Sequence, residues 1–227
     1  MGNKLRQRFK PSYAKMILEN TVLRSKPLVP EIRLQLIDKS CQWYHQSSVP
    51  DLPEDPFWAV FWPGGQALSR FLLDHPDTVR GKQVLDMGSG CGASSIAARL
   101  VGASSVICND IDKVSLEATE LNASANYVTS RLTLSDHNFL SSSDPGVCLE
   151  DSVVLLGDMF YDENMASSIL NWMKRDGVRG GNVYIGDPGR WALTNISNQL
   201  VKIAEYEIED EDCEEFRTTA VYQMKLS

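Results

Sequence analysis

Apolar positions along the chain follow two rhythms, short runs or strict alternation on one hand and a period near 3.6 on the other. The short ones are Val84-Leu85, Val106-Ile107-Cys108, Arg131 to Ser135, Ser152 to Gly157 and Asn182 to Ile185, each closing on a glycine or an acid. Between them Ala93 to Leu100, Lys113 to Tyr127 and Asp162 to Lys174 place their apolar residues on one face, as amphipathic helices do. A helix is also expected from Gly65, with Ala67, Leu68, Phe71 and Leu72 on one side, and another from Leu193 to Ala204, with Ile196, Leu200 and Ile203 inward. Strands alternating with helices predict a parallel sheet covered on both faces. The tail departs from this rule. Tyr206 to Cys213 and Thr218 to Lys225 read as strands joined by a short turn without a helix, hence antiparallel neighbours. The expected fold class is α/β, a Rossmann-like sheet that is mostly parallel and ends in an antiparallel hairpin.

Three sections are expected: a basic segment 1–28, an extension 29–75 and a core 76–227. Met1 to Leu18 carries Lys4, Arg6, Arg8, Lys10 and Lys15 and no acid, which suits either an organelle-import sequence or a disordered basic tail. Gly2 alone does not make a myristoylation signal, because Arg6 stands where Ser or Thr is wanted. Val29 to Ile37 alternates as an extended segment on the edge of the core. After a connector from Pro50 to Pro56 comes an aromatic stretch, Phe57-Trp58-Ala59-Val60-Phe61-Trp62, with two readings, a hydrophobic lid or plain core packing. Trp62 is the better ligand candidate, since Pro63 and Gly64 fix it at the end of an element.

Composition narrows the function. A formal net charge of −8 over 227 residues opposes phosphate binding and suits a cationic partner. The five cysteines are odd in number and lack C-x-x-C spacing, so they read as free thiols in a reducing compartment. Three scattered histidines give no metal-ligand pattern, and no apolar run approaches a membrane span. The expectation is one domain with a short preamble, without metal, nucleic acid or membrane, and monomeric.

The candidate chemistry starts at Asp86-Met87-Gly88-Ser89-Gly90-Cys91-Gly92, a glycine-rich elbow between a strand and a helix. Bare glycines let a ligand touch backbone, and free N–H groups at the helix start point at it. Gly88-x-Gly90-x-x-Ala93 also satisfies a dinucleotide fingerprint, so the elbow alone is not specific. Asp110, just past the next strand, is placed to accept both hydroxyls of a ribose, with Ile111 beside it. After the third strand, Asn138 can meet adenine edges and Phe139 its face. Gly157 and Asp158 close a central strand at the carboxyl edge, where parallel sheets place their chemistry.

The five parallel strands and terminal hairpin resemble the seven-strand methyltransferases that use S-adenosylmethionine. Within that class, Asp158-Met159-Phe160-Tyr161 resembles the D-x-x-Y motif of a family of protein lysine methyltransferases. The stretches WPGGQALSRFLLD, VLDMGSGCGA, NDID, LGDMFYDE and IGDPGR are similar to the branch of mitochondrial enzymes that modify the electron transfer flavoprotein β subunit. The resemblance covers about Pro56 to Arg190. It implies cofactor contacts at Trp62, Gly88, Gly90, Asp110 and the Asn138 region, and a catalytic edge at Asp158 and Tyr161. The full candidate cofactor set is Trp62, Asp86, Gly88, Ser89, Gly90, Asp110, Ile111, Asn138, Phe139 and Gly157. The implied location is the mitochondrial matrix, with the cytoplasm as alternative, and the implied partner is a protein substrate, the flavoprotein β subunit.

A lysine acceptor must shed a proton first. With a free pKa near 10.4, only about one amine in a few thousand is neutral at pH 7, a handicap of roughly 4–5 kcal/mol. A carboxylate nearby favours the ammonium, so Asp158 is expected to capture and orient the amine rather than act as its base. Trp62, Phe160 and Tyr161 are channel candidates, and Tyr161 has a second reading as a brace for Asp158. Rival readings are an adenine N6-methyltransferase, an NAD-dependent oxidoreductase and a non-catalytic adaptor. The first normally shows prolines where Met159 and Phe160 stand; the terminal hairpin disfavours the second.

Overall fold

The computed structural model describes residues 13–45, 52, 55–142, 147, 149, 151–176, 178, 182–209, 213 and 215–225. Five parallel strands form the centre: β3 (Gln83–Met87), β4 (Ser105–Asn109), β5 (Leu132–Ser135), β6 (Val153–Gly157) and β7 (Val183–Asp187). With β8 (Leu200–Glu207) and β9 (Thr218–Met224) they make a seven-stranded sheet in the order β5-β4-β3-β6-β7-β9-β8. Strand β9 runs antiparallel to both β7 and β8. The chain order reverses at β3, between β4 and β6, which opens a crevice at the carboxyl edge there.

Strand periodicity sorts the core into two layers. Val84, Val106, Cys108, Val153 and Leu155 point to one face, against Ala67, Leu68, Phe71 and Leu72 of α2 (Pro63–Asp74) and Ala93, Ile96 and Ala97 of α3 (Ala93–Leu100). Leu85, Ile107, Val154, Leu156, Val183 and Ile185 point to the other, against Ile169, Trp172 and Met173 of α5 (Glu163–Arg175). Two helices start at aspartate caps. Asp112 accepts the Val114 N–H at the head of α4 (Lys113–Ala125), and Asp162 accepts the Met165 N–H at the head of α5.

Two expectations are corrected here. The helix expected from Leu193 to Ala204 is replaced by a short helix α6 (Trp191–Thr194), a 3-10 turn at Ser197–Gln199 and then β8. The first hairpin strand therefore begins at Leu200 rather than Tyr206. Strand β9 lies inside the sheet and needs a backbone partner on each side, which β8 supplies from Leu200 opposite Met224 to Glu207 opposite Thr218. That demand outweighs the helical spacing of Ile196, Leu200 and Ile203.

The second correction concerns the chain before residue 29. From Tyr13 onward it is folded: α1 (Ala14–Asn20) leads into β1 (Val22–Lys26), which pairs antiparallel with β2 (Val29–Leu36). Ile17 is fully buried in a cluster with Trp43, Trp58, Val114 and Ala118. Glu117 accepts the Ala14 N–H, and Asn122 of α4 accepts the Gln35 N–H at 2.7 Å. The basic residues Lys4, Arg6, Arg8 and Lys10 lie outside the described residues, as does most of the Pro50 to Pro56 connector. Among the described residues, no helix is long and apolar enough to cross a membrane.

Candidate functional site

The carboxyl ends of β3 and β6 and the amino end of α2 border an open cleft. Its lining includes Trp62, Gly65, Asp86, Gly88, Ser89, Gly90, Gly157 and Asp158. The elbow is built from left-handed glycines: φ is +68° at Gly88, +52° at Gly90 and +77° at Gly92. At that φ a side chain at Gly88 is strained, and its Cβ would fall 2.2 Å from Met159 Sδ, which would have to move. Ser89 donates its N–H to the Asn109 carbonyl, and Gly92 to the Ser89 carbonyl, which clamps the loop between β3 and β4. Ser89 Oγ is buried at this lining without a hydrogen-bond partner among the described residues.

Two carboxylates flank the elbow. Asp110 Oδ2 accepts the Gly90 N–H at 3.0 Å and the Ser115 hydroxyl at 2.7 Å, while Oδ1 accepts the Asp112 N–H. These contacts fix its plane and leave one lone pair open; the single Ser115 hydrogen can turn instead to the Gly90 carbonyl, 2.9 Å away, which frees a second for a ribose diol. Ile111 follows it on the surface, 71% exposed. Asp86 is buried beneath the loop and accepts the Ser95 hydroxyl at 2.6 Å. Burial pushes its carboxyl up to about 6, with Asp110 adding to the rise and Ser95 opposing it.

Asp158 stands at the end of β6 with φ +58°, an uncommon conformation for a residue with a side chain. Its N–H donates to the Gly186 carbonyl at 2.9 Å. Its Oδ2 accepts the Gly65 N–H at 2.8 Å, so the residue caps the amino end of α2, not that of the helix following it in sequence. Its Oδ1 accepts from Arg190 Nη1 at 2.6 Å. The same nitrogen donates to Asp187 Oδ2 at 3.2 Å. Asp187, wholly buried, receives the Gly189 and Arg190 N–H groups on Oδ1 at 2.7 Å each. The Arg190 guanidinium also lies 5.2 Å from the centre of the Phe216 ring. Burial pushes both carboxyls up while Arg190 pulls them down, and it is burial that prevails.

The close approach of α2 to the sheet depends on glycine. A Cβ at Gly64 would fall 2.1 Å from the Gly186 carbonyl oxygen and 2.7 Å from Asp158 Oδ2. The two glycines thus let the helix amino end touch the ends of β6 and β7.

Several sequence candidates lie elsewhere. Phe139 does not face the cleft: it is buried in the core against Trp172, at 6.5 Å between ring centres, so it is not an adenine platform. Apolar burial on the α5 side outcompetes exposure at the sheet edge. Asn138 is exposed, and its Oδ1 accepts the N–H groups of Leu140 and Ser141, which makes it a turn cap. Phe160 is fully buried and is not a channel wall, and Trp58 is core while Phe57 is exposed. Tyr161 is 56% exposed, and the hydrogen-bond partners holding Asp158 are Gly65, Gly186 and Arg190 instead. Trp62 borders the cleft and donates its Nε1–H to the Phe57 carbonyl. Sequence reasoning passed over Arg190, Asp187 and Ser95. Asp158 and Asp187 at the ends of adjacent strands were the available signal, since two buried acids side by side call for a cation.

A sheet of this order, with a glycine elbow and an acid after the next strand, defines the class of S-adenosylmethionine-dependent methyltransferases. The residues suit that group: glycines expose backbone, Asp110 keeps an open lone pair and can free a second, and Ser89 Oγ lacks a partner among the described residues. A family model described as ribosomal protein L11 methyltransferase matches residues 67–154. The chain is 43% identical over 205 residues, 88% of its length, to the electron transfer flavoprotein β subunit lysine methyltransferase of Xenopus laevis, covering 80% of that protein. It is 42% identical over 202 residues to the human protein of the same name, covering 87% of this chain and 75% of the relative. In fold it is similar to the N-methyltransferase NodS of Bradyrhizobium japonicum bound to S-adenosylhomocysteine, with TM-score 0.52, 12% identity, and coverage of 71% of this chain and 88% of that one. The chain belongs to the family of electron transfer flavoprotein β subunit lysine methyltransferases. It is a protein-lysine N-methyltransferase that uses S-adenosylmethionine.

Proposed function

We propose that the substrate is the electron transfer flavoprotein β subunit and that Asp158 receives its lysine. One observation carries this reading: Asp158 lines the same cleft as Gly88, Ser89 and Gly90. The relatives' names supply the substrate, and a mitochondrial matrix location follows from it. The formal net charge of −8 suits a lysine-bearing protein rather than nucleic acid, and we take the enzyme to act as a monomer.

The elbow backbone, Ser89 and Asp86 hold the amino acid end of the cofactor, Asp110 its ribose, and Trp62 and Ile111 offer apolar cover. When bound, S-adenosylmethionine supplies a methyl on a sulfonium, and its transfer to nitrogen leaves S-adenosylhomocysteine. Asp158 is fixed by three hydrogen bonds, so it presents a preset acceptor to the amine and keeps it in line. With two acids and one guanidinium, the edge holds one negative charge more than positive when both acids are ionised, and this draws an ammonium in. Tyr161, exposed beside it, offers a ring face to the approaching side chain.

The test is incubation of the enzyme with methyl-labelled S-adenosylmethionine and the purified flavoprotein β subunit, followed by mass mapping. Labelled lysine is expected with the wild type, and none with Asp158→Asn, whose S-adenosylhomocysteine affinity should stay within about threefold. Label on other residue types, or none on this subunit, contradicts the substrate assignment. Full transfer by Asp158→Asn contradicts the role of that carboxylate.

A further inference from the structure

We propose that Arg190 is a positioning residue for methyl transfer: by sharing one guanidinium nitrogen between Asp158 and Asp187 it holds Asp158 ionised and aimed into the cleft. The inference rests on the reading of Asp158 as the residue that receives the lysine. It is carried by geometry. Asp158 has little contact with solvent, its side chain being 11% exposed, and the Arg190 side chain is 18% exposed. A carboxylate withdrawn this far from water loses its charge unless a cation stands beside it. Among the described residues, the groups facing Asp158 are few. They are the Gly65 N–H at the amino end of α2, Arg190 at 2.6 Å, Asp187 beyond it and the Cys91 thiol, with Asp86 across the cleft. Arg190 is the one full positive charge among them.

Arg190 is itself held from three sides. Its backbone N–H and its Nη1 both bond Asp187, and its guanidinium carbon lies over Phe216. Asp187 in turn is locked by the Gly189 N–H, where φ is +97°. The turn from Asp187 to Arg190 therefore delivers a cation to the end of the neighbouring strand β6. Without it, Asp158 would face Asp187 with only a helix terminus to offset two acids, and it would take up a proton. A protonated Asp158 is a poor acceptor for an ammonium. Arg190 has a second effect: its positive charge cancels part of the Asp158 field, so the amine that docks there sheds its proton more readily than beside a lone carboxylate.

The test follows Asp158 directly. The carboxyl carbon of Asp158 is titrated by NMR in wild type, Arg190→Met, Arg190→Gln and Arg190→Lys, and each is assayed on the flavoprotein β subunit. Arg190→Gln keeps a hydrogen-bond donor and serves where Arg190→Met does not fold. Loss of the charge is expected to raise the Asp158 midpoint by about 1–3 pH units. It should also raise KM for the protein substrate at least about tenfold at pH 7, with S-adenosylhomocysteine affinity within about threefold. Since a single nitrogen makes both acid contacts, Arg190→Lys should restore most of both. An unmoved midpoint, a Lys variant as impaired as Gln, or a parallel loss of S-adenosylhomocysteine affinity overturns the proposal. The outcome for Asp158→Asn in the same assay separates the two ideas. If that variant transfers methyl normally, the lysine-side reading of Asp158 fails; if it is inactive while the Arg190 variants titrate and act as wild type, only the role of Arg190 fails.

Discussion

Asp86 carries a charge that the fold tolerates poorly. Its ordinary carboxyl value of 3.8 rises to about 6 because burial strips its water. The folded state therefore binds the proton more tightly than the unfolded chain. The associated stability is fully present below about pH 4 and is lost as pH rises through 6, about 3 kcal/mol in all. In ligand-free protein, Asp86→Asn should lack this loss, so its unfolding free energy should gain on the wild type between pH 4 and 6.5, as urea melts at stepped pH will record. A constant difference over that range contradicts the assignment. Gly64 offers a steric counterpart. Gly64→Ala drives a methyl into the Gly186 carbonyl at 2.1 Å and should cost at least about 2 kcal/mol. Gly65→Ala next to it meets only the Phe61 ring at 3.4 Å and should stay within about 1 kcal/mol. Thermal melts of the pair check this contrast.

At the scale of elements, the sequence revealed most where a local rule and the tertiary demand agree. The strands ending at Asp86, Asp110 and Asp158 and the helices after them were legible, because period and caps point the same way. Leu193 to Ala204 was not. Its apolar spacing fits a helix, yet β9 sits between β7 and a vacant edge, and the chain supplies β8 to fill that edge. Phe139 failed similarly: its place after a strand marked it for the ligand, but the core beneath α5 took the ring. Arg190 escaped because its role depends on two acids from different strands that meet only in space. The charge of Met1 to Leu18 suggested an import sequence or a tail, although Ile17 buries its side chain and β1 pairs with β2. Ile17→Ala should cost about 2–4 kcal/mol in urea unfolding. A change below about 0.5 kcal/mol would show that α1 is dispensable to the fold.

For the whole molecule, the architecture divides labour between the two sides of one crevice. In the proposed reading the β3 and β4 ends, with their glycines and Asp110, form the cofactor side, and the β6 and β7 ends, with Asp158, Asp187 and Arg190, form the acceptor side. The amino end of α2 stitches the second side to the aromatic stretch through the Gly65 N–H. On this proposal the division makes the chemistry directional, while the formal net charge of −8 suits a basic acceptor. A crystal structure of the enzyme with S-adenosylhomocysteine tests it most directly. Ribose hydroxyls are expected on Asp110, the amino acid end on the Gly88 to Gly90 loop and the sulfur turned toward Asp158. A sulfur facing away from that carboxylate, or a ligand seated outside the cleft, would contradict it.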